Sequence, residues 1–204
     1  MGGLFAGLFV GATPAMAQIG VGPIGGVSFS NISGSEKDDF LPGRSGSTGF
    51  LIGAMFDFPL GVVSIRPEAF YVQKGAKFSD DTFAAEFSLD YIEIPVLLVV
   101  GIPVGSIKVE FFGGPQVAFQ TKCDGTGAAT GDPVETLPCD DPSIGIENAT
   151  TDYGVIVGGG VAVGSFLAQV ALDYSLTTLD ADPDPWDIRN QAIYVLVGWM
   201  FRLN

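Results

Sequence analysis

Apolar residues recur at every second position in eight separate segments of this chain, and no other feature limits its fold as strongly. Side chains alternate faces along a strand, so this repeat marks strands with one apolar face. The fifth segment shows it best. Ile107, Val109, Phe111, Val117 and Phe119 share one phase, while Lys108, Glu110, Gly114, Gln116 and Gln120 take the other. The first segment sets Ile19, Val21, Val27 and Phe29 against small residues, and the second does the same with Phe50, Ile52, Ala54, Phe56 and Phe58. The third sets Ile65, Pro67, Ala69 and Tyr71 against Ser64, Arg66 and Glu68, and the fourth sets Ile92 to Val100 against Tyr91, Glu93, Pro95 and Leu97. Segments around Tyr153–Val163, Phe166–Tyr174 and Ile193–Phe201 complete the set.

A membrane helix needs about 20 continuous apolar residues. The longest apolar stretches are Ile94–Gly105, which holds Pro95 and Pro103, and Val155–Leu172, which is rich in Gly and Val with Gln169 inside. Both suit strands better than helices. Strands of about ten residues match a tilted span of a bilayer. Connections alternate between short (Pro59–Val62, Gly101–Ser106, Gly164–Ser165) and long (Asn31–Thr48, Gln73–Phe87, Lys122–Asp152, Thr177–Gln191). Up-and-down membrane barrels have this asymmetry. The expectation is an all-β, eight-stranded antiparallel transmembrane barrel over residues 18–204.

Alternation alone does not say which face meets solvent, because a soluble lipocalin-like barrel alternates too, with its apolar side chains inside. Three features favour lipid outside. Asp57, Arg66, Glu68, Glu93, Lys108, Glu110, Asp173 and Arg202 all share the non-apolar phase, and Asp90 alone breaks it. A Lys or Arg facing lipid at midplane costs about 2–4 kcal/mol. The same phase is rich in Gly, Ala and Ser, which suits the narrow interior of eight strands. Aromatic residues gather near strand ends on the apolar phase, as in an interfacial girdle.

The blocks Gly26–Asn31, Pro67–Phe78, Leu89–Leu98, Gly114–Phe119 and Asp173–Leu176 resemble the porin-like outer-membrane β-barrel domain family of Gram-negative, Bacteroidetes-type bacteria. The resemblance implies an eight-stranded barrel inserted by the outer-membrane assembly machinery, with Gly198, Phe201 and Leu203 as its terminal signal. It implies no activity and no cofactor.

Met1–Ala17 reads as a signal peptide: an apolar run, then Ala15-Met16-Ala17, with cleavage between Ala17 and Gln18. Export places the two cysteines in an oxidising compartment, where Cys123 and Cys139 form a disulfide. Within the barrel, Arg66, Glu68, Glu93, Lys108 and Glu110 form a lumen ion-pair network, with Glu93 between the Arg66/Glu68 and Lys108/Glu110 pairs, since buried charges must be matched. Asp180, Asp182, Asp184 and Asp187 cluster as a weak calcium site. Acidic residues number 23 and basic residues 9, a net charge of −14 that argues against nucleic acid as a partner. Histidine is absent, which removes Ser-His-Asp and Cys-His catalysis. The reading is a monomeric, non-enzymatic outer-membrane protein with both termini in the periplasm. Its four acidic loops meet partners, cations or lipopolysaccharide. A narrow small-solute channel and a soluble lipocalin-like binding barrel stand as alternatives.

Overall fold

The computed structural model describes residues 18–33, 44–79, 83–129, 135–139, 150–177 and 189–203. Strand β1 runs Gly20–Ser33, β2 Arg44–Leu60, β3 Val63–Ser79, β4 Phe83–Val104 and β5 Ile107–Ala129. A short β6, Glu135–Pro138, precedes β7 Thr151–Val163, β8 Phe166–Ser175, β9 Arg189–Trp199 and the two-residue β10 Phe201–Arg202. Pairing is antiparallel in the order β1-β2-β3-β4-β5-β7-β8-β9, and both β9 and β10 pair back with β1. Since β10 continues β9 beyond Met200, eight strands wall a closed up-and-down barrel. In lipid every backbone polar group must be paired within the protein, and closure meets that need.

Three hairpins close one end, each with a two-residue turn: Gly61-Val62, Gly105-Ser106 and Gly164-Ser165. Their glycines have φ of 85°, 63° and 60°, and no described residue other than glycine has positive φ. Positive φ at the first turn position alone is the type II′ pattern, whose twist matches the strands it joins. The other end carries the long connections.

Alternation sorts the side chains. Phe111, Val157 and Val195 are 56%, 50% and 43% exposed on the outer wall, whereas Glu110 and Arg66 are each 1% exposed inside. A soluble lipocalin-like barrel would have the reverse polarity, so that alternative is set aside. The lumen is filled by side chains. Leu51, Met55, Phe70, Val72, Leu97, Phe112 and Ile156 form one buried apolar cluster with Tyr91 and Tyr194. Gly158 makes room for the Phe112 ring, since a Cβ there would stand 2.5 Å from Phe112 Cζ.

Strand ends depart from the sequence expectation. The segment assigned to a connection from Gln73 to Phe87 is instead mostly strand, because β3 runs to Ser79 and β4 begins at Phe83. The outward apolar repeat stops near Tyr71 and Ile92, so polarity no longer marks the strand beyond them. β4 and β5 have 22 and 23 residues, while β8 and β9 have 10 and 11. A tilted span needs about 9–11. One side of the barrel therefore rises into a wing of β3, β4, β5 and β6 at the loop end. A bulge marks its base. Asp90 pairs with Lys122 and Tyr91 with Gln120, leaving Thr121 extra, and the Thr121 hydroxyl donates to the Asp90 carbonyl at 3.1 Å. Asp90, the charge out of phase, thus lies opposite Lys122 at the foot of the wing. Arg202 shares the inward phase and keeps the register of β9 against β1, yet it is exposed, because it lies at the turn-end rim of the barrel.

A second bulge lies in β2, where the register with β3 shifts between Gly46 and Leu51. β1 repairs the gap. Ser28 Oγ donates to the Gln73 carbonyl at 2.5 Å. Ser30 Oγ donates to the Gly75 carbonyl at 3.0 Å and accepts from the Gly75 N–H at 2.9 Å. Ser30→Ala is expected to lower stability by about 1–3 kcal/mol, the cost of orphaned buried backbone groups. The readout is the temperature at which the folded gel band of detergent-extracted protein gives way to the unfolded one.

Candidate functional site

β3 carries the charged lumen. Its buried column is Ser64, Arg66, Glu68, Phe70, Val72, Lys74 and Ala76. Arg66 and Lys74 therefore stand at two heights, about 26 Å apart along the strand.

Toward the turn end, Arg66 is held from two sides. Its Nε lies 3.0 Å from Asp57 Oδ1 on β2, and its Nη1 and Nη2 donate to the two Glu110 carboxylate oxygens on β5 at 2.9 and 3.2 Å. This forked geometry is the strong form of a charged hydrogen bond. Lys108 Nζ lies 2.6 Å from Glu110 Oε1, and Ser64 Oγ donates to Asp57 Oδ1 at 2.7 Å. Glu68 is buried beside them, and its Oε1 has no hydrogen-bond partner among the described residues.

Toward the loop end, the ammonium of Lys74 reaches Glu93 Oε1 on β4 and Asp173 Oδ2 on β8, both at 2.5 Å. The rings of Tyr91 and Tyr194 flank it, with centroids at 5.4 and 5.8 Å. The Tyr194 hydroxyl, on β9, lies 3.1 Å from both Glu93 Oε2 and Asp173 Oδ2. Gln116 Nε2 donates to Asp173 Oδ1. Asp152 on β7 accepts from Ser175 Oγ at 2.5 Å. The contacts from β3 to β8 and from β4 to β9 run across the barrel, so ionic struts brace the lumen at the height where the apolar cluster ends.

The single network expected from spacing is therefore two clusters. Arg66, Lys108 and Glu110 belong to one. Glu93 belongs to the other, and its cation is Lys74, because Glu93 pairs in register with Phe70, four residues above Arg66. Spacing missed Lys74 and Tyr194. Carrying the two-residue count onward from Arg66 lands on Lys74, so the signal was present.

Outside the lumen, Cys123 on β5 is bonded to Cys139 just beyond β6, with Cα atoms 5.4 Å apart. The bond pins β6 to the wing, assisted by Cys139 N–H donating to the Cys123 carbonyl at 3.1 Å. Lys77 and Glu86 pair across β3 and β4 at 2.9 Å, both half exposed, a setting in which an ion pair contributes little. Asp180, Asp182, Asp184 and Asp187 and the segment ending at Ala17 lie outside the described residues; Gln18 is exposed ahead of β1.

A family comparison agrees with this architecture. Residues 13–181 match the family described as outer membrane protein beta-barrel domain. Among solved structures, the chain is similar to Ail, the attachment invasion locus protein of Yersinia pestis, at 13% identity and a TM-score of 0.48, covering 90% of this chain and 99% of that one. It is also similar to Neisserial surface protein A, at 13% identity and 0.47, covering 90% and 97%. OprG from Pseudomonas aeruginosa aligns at 9% identity and 0.48, covering 92% and 97%. No curated protein sequence matches the chain significantly. The family match spans most of the barrel wall, from ahead of β1 to beyond β8, and the chain belongs to the outer membrane protein β-barrel domain family.

Proposed function

We propose that this chain is a non-enzymatic anchor in the bacterial outer membrane that works through the surface it raises above the lipid, and that its barrel does not conduct. The observation that carries this reading is a lumen braced shut beneath a one-sided wing. Arg66, Glu93 and Glu110 are at most 1% exposed, and the Lys74–Asp173 and Tyr194–Glu93 contacts span the interior. Eight-stranded barrels have just enough room for side chains, and here large and ionic ones occupy it. Residues 1–17 act as the export leader, removed between Ala17 and Gln18. The assembly machinery then inserts the barrel as a monomer, with tight turns and both termini in the periplasm. The wing and the four acidic connections face outward, where cations and lipopolysaccharide meet them.

Two measurements test this reading. Folded protein in a planar bilayer is expected to give no discrete currents; reproducible steps would make it a channel. On intact cells, Lys77 at the wing is expected to react with an amine reagent that does not cross membranes. Labelling only after the outer membrane is permeabilised would invert the orientation.

A further inference from the structure

Opposite the wing the wall is low, and its outer surface is grooved near the loop-end rim. The groove holds about 520 Å³ and crosses β1, β9, β8 and β7. Strand register arranges it as two rungs. On the lower rung Ile193 stands between Phe29 and Leu172, all three apolar and exposed. On the upper rung Gln191 stands between Asn31 and Tyr174. Arg189 follows in the same outward column of β9 and is half-buried, as Gln191 is. β8 ends at Ser175 and β9 begins at Arg189, so the upper rung lies at the top of the span. Tyr174 suits that depth, where a ring meets hydrocarbon and a hydroxyl meets headgroups. From Ile193 to Arg189 the column passes from hydrocarbon contact to amide to guanidinium, about 14 Å along the strand.

That gradient complements an anionic amphiphile laid along the wall. An acyl chain on the lower rung brings its carbonyl linkage to the Asn31 and Gln191 amides, which can donate to it. A phosphate above the linkage then meets Arg189, whose planar fork matches phosphate oxygens. The groove's volume falls in the ~300–1,000 Å³ range of small-ligand sites. A phosphatidylethanolamine phosphate carries its own ammonium and gains less from the guanidinium, whereas a lipopolysaccharide phosphate has no such internal partner. We propose that the groove seats one lipopolysaccharide molecule, with an acyl chain over Ile193 and a sugar phosphate at Arg189. This rests on the outward orientation of the loops, which puts the groove in the outer leaflet. It adds a site on the lipid-facing wall, away from the wing.

The test is native mass spectrometry of the full chain, folded in detergent micelles and titrated with deep-rough lipopolysaccharide. Wild type is expected to carry one molecule and to bind phosphatidylglycerol and phosphatidylethanolamine more weakly. Ile193→Trp fills the groove and is expected to abolish the adduct. Arg189→Gln is expected to weaken it about fivefold, the contribution of one basic residue at a membrane surface. Leu98→Trp, on the outer face of β4, is expected to change nothing. No adduct on wild type overturns the site, as do phosphatidylglycerol binding equally well and an adduct that survives in Ile193→Trp. Gel mobility of unheated against boiled sample establishes that each variant is folded. Should Ile193→Trp fail to fold, unchanged affinity in Arg189→Gln overturns the proposal by itself. Lys77 labelling on cells reads the orientation separately. An adduct missing while Lys77 is labelled on intact cells strikes the groove alone, and Lys77 shielded until permeabilisation strikes both.

Discussion

Lys74→Met is expected to destabilise the barrel by about 3–5 kcal/mol, the cost of stranding a buried charge without its partner. Methionine keeps much of the length and all of the apolar stem, so the change isolates the ammonium. Without it, Glu93 and Asp173 face each other across the lumen with only the Tyr194 hydroxyl and Gln116 amide between them. The folded band on unheated gels should disappear at a markedly lower temperature. A triple change, Lys74→Met with Glu93→Gln and Asp173→Asn, should recover much of the loss by removing the stranded charges. A single variant as heat-resistant as wild type would show that the struts carry no stability.

The second large effect lies on the other face. Val157→Arg puts a cation in the middle of the outward column of β7, where Val157 is half exposed to hydrocarbon. The expected cost is about 2–4 kcal/mol at midplane, falling toward the interfaces. Tyr153→Arg, on the same column near the loop end, should cost much less. Chemical unfolding from lipid vesicles checks both, and equal effects at the two positions would contradict the placement of the belt. In a soluble barrel neither substitution would carry this depth dependence.

The fold was legible because lipid imposes a strict test on every outward residue. Phe111, Val157 and Val195 face out for the reason their phase indicated. The wing was not legible by that route. Beyond Ile92 on β4 and Phe119 on β5 both faces tolerate polar residues, so Lys122, Asp124 and Thr126 read as loop although they lie in strand. Within the lumen, sequence phase identified Arg66, Glu93 and Glu110 as inward, but pairing depends on strand stagger, which alternation does not encode. Lys74 lay past the last apolar residue of its segment, and its partner Asp173 sits on β8, 99 positions away. Ser30 mending a ladder between β2 and β3 likewise needs three-dimensional register, since both bonds skip a strand.

The barrel's first and last strands meet directly. Gly20 pairs with Arg202, and Leu203 N–H donates to the Ile19 carbonyl at 2.8 Å. The seam between β1 and β9 therefore joins residues separated by nearly the whole polypeptide, the highest contact order this topology allows. All other neighbouring walls zip locally through hairpins or modest loops, whereas this seam waits for the final strand to arrive. Until then β1 and the growing front both present raw backbone. Zipping the ring shut is thus expected to come last in folding, and lesions confined to β1, β9 or β10 should stall a nearly finished sheet rather than prevent one from starting.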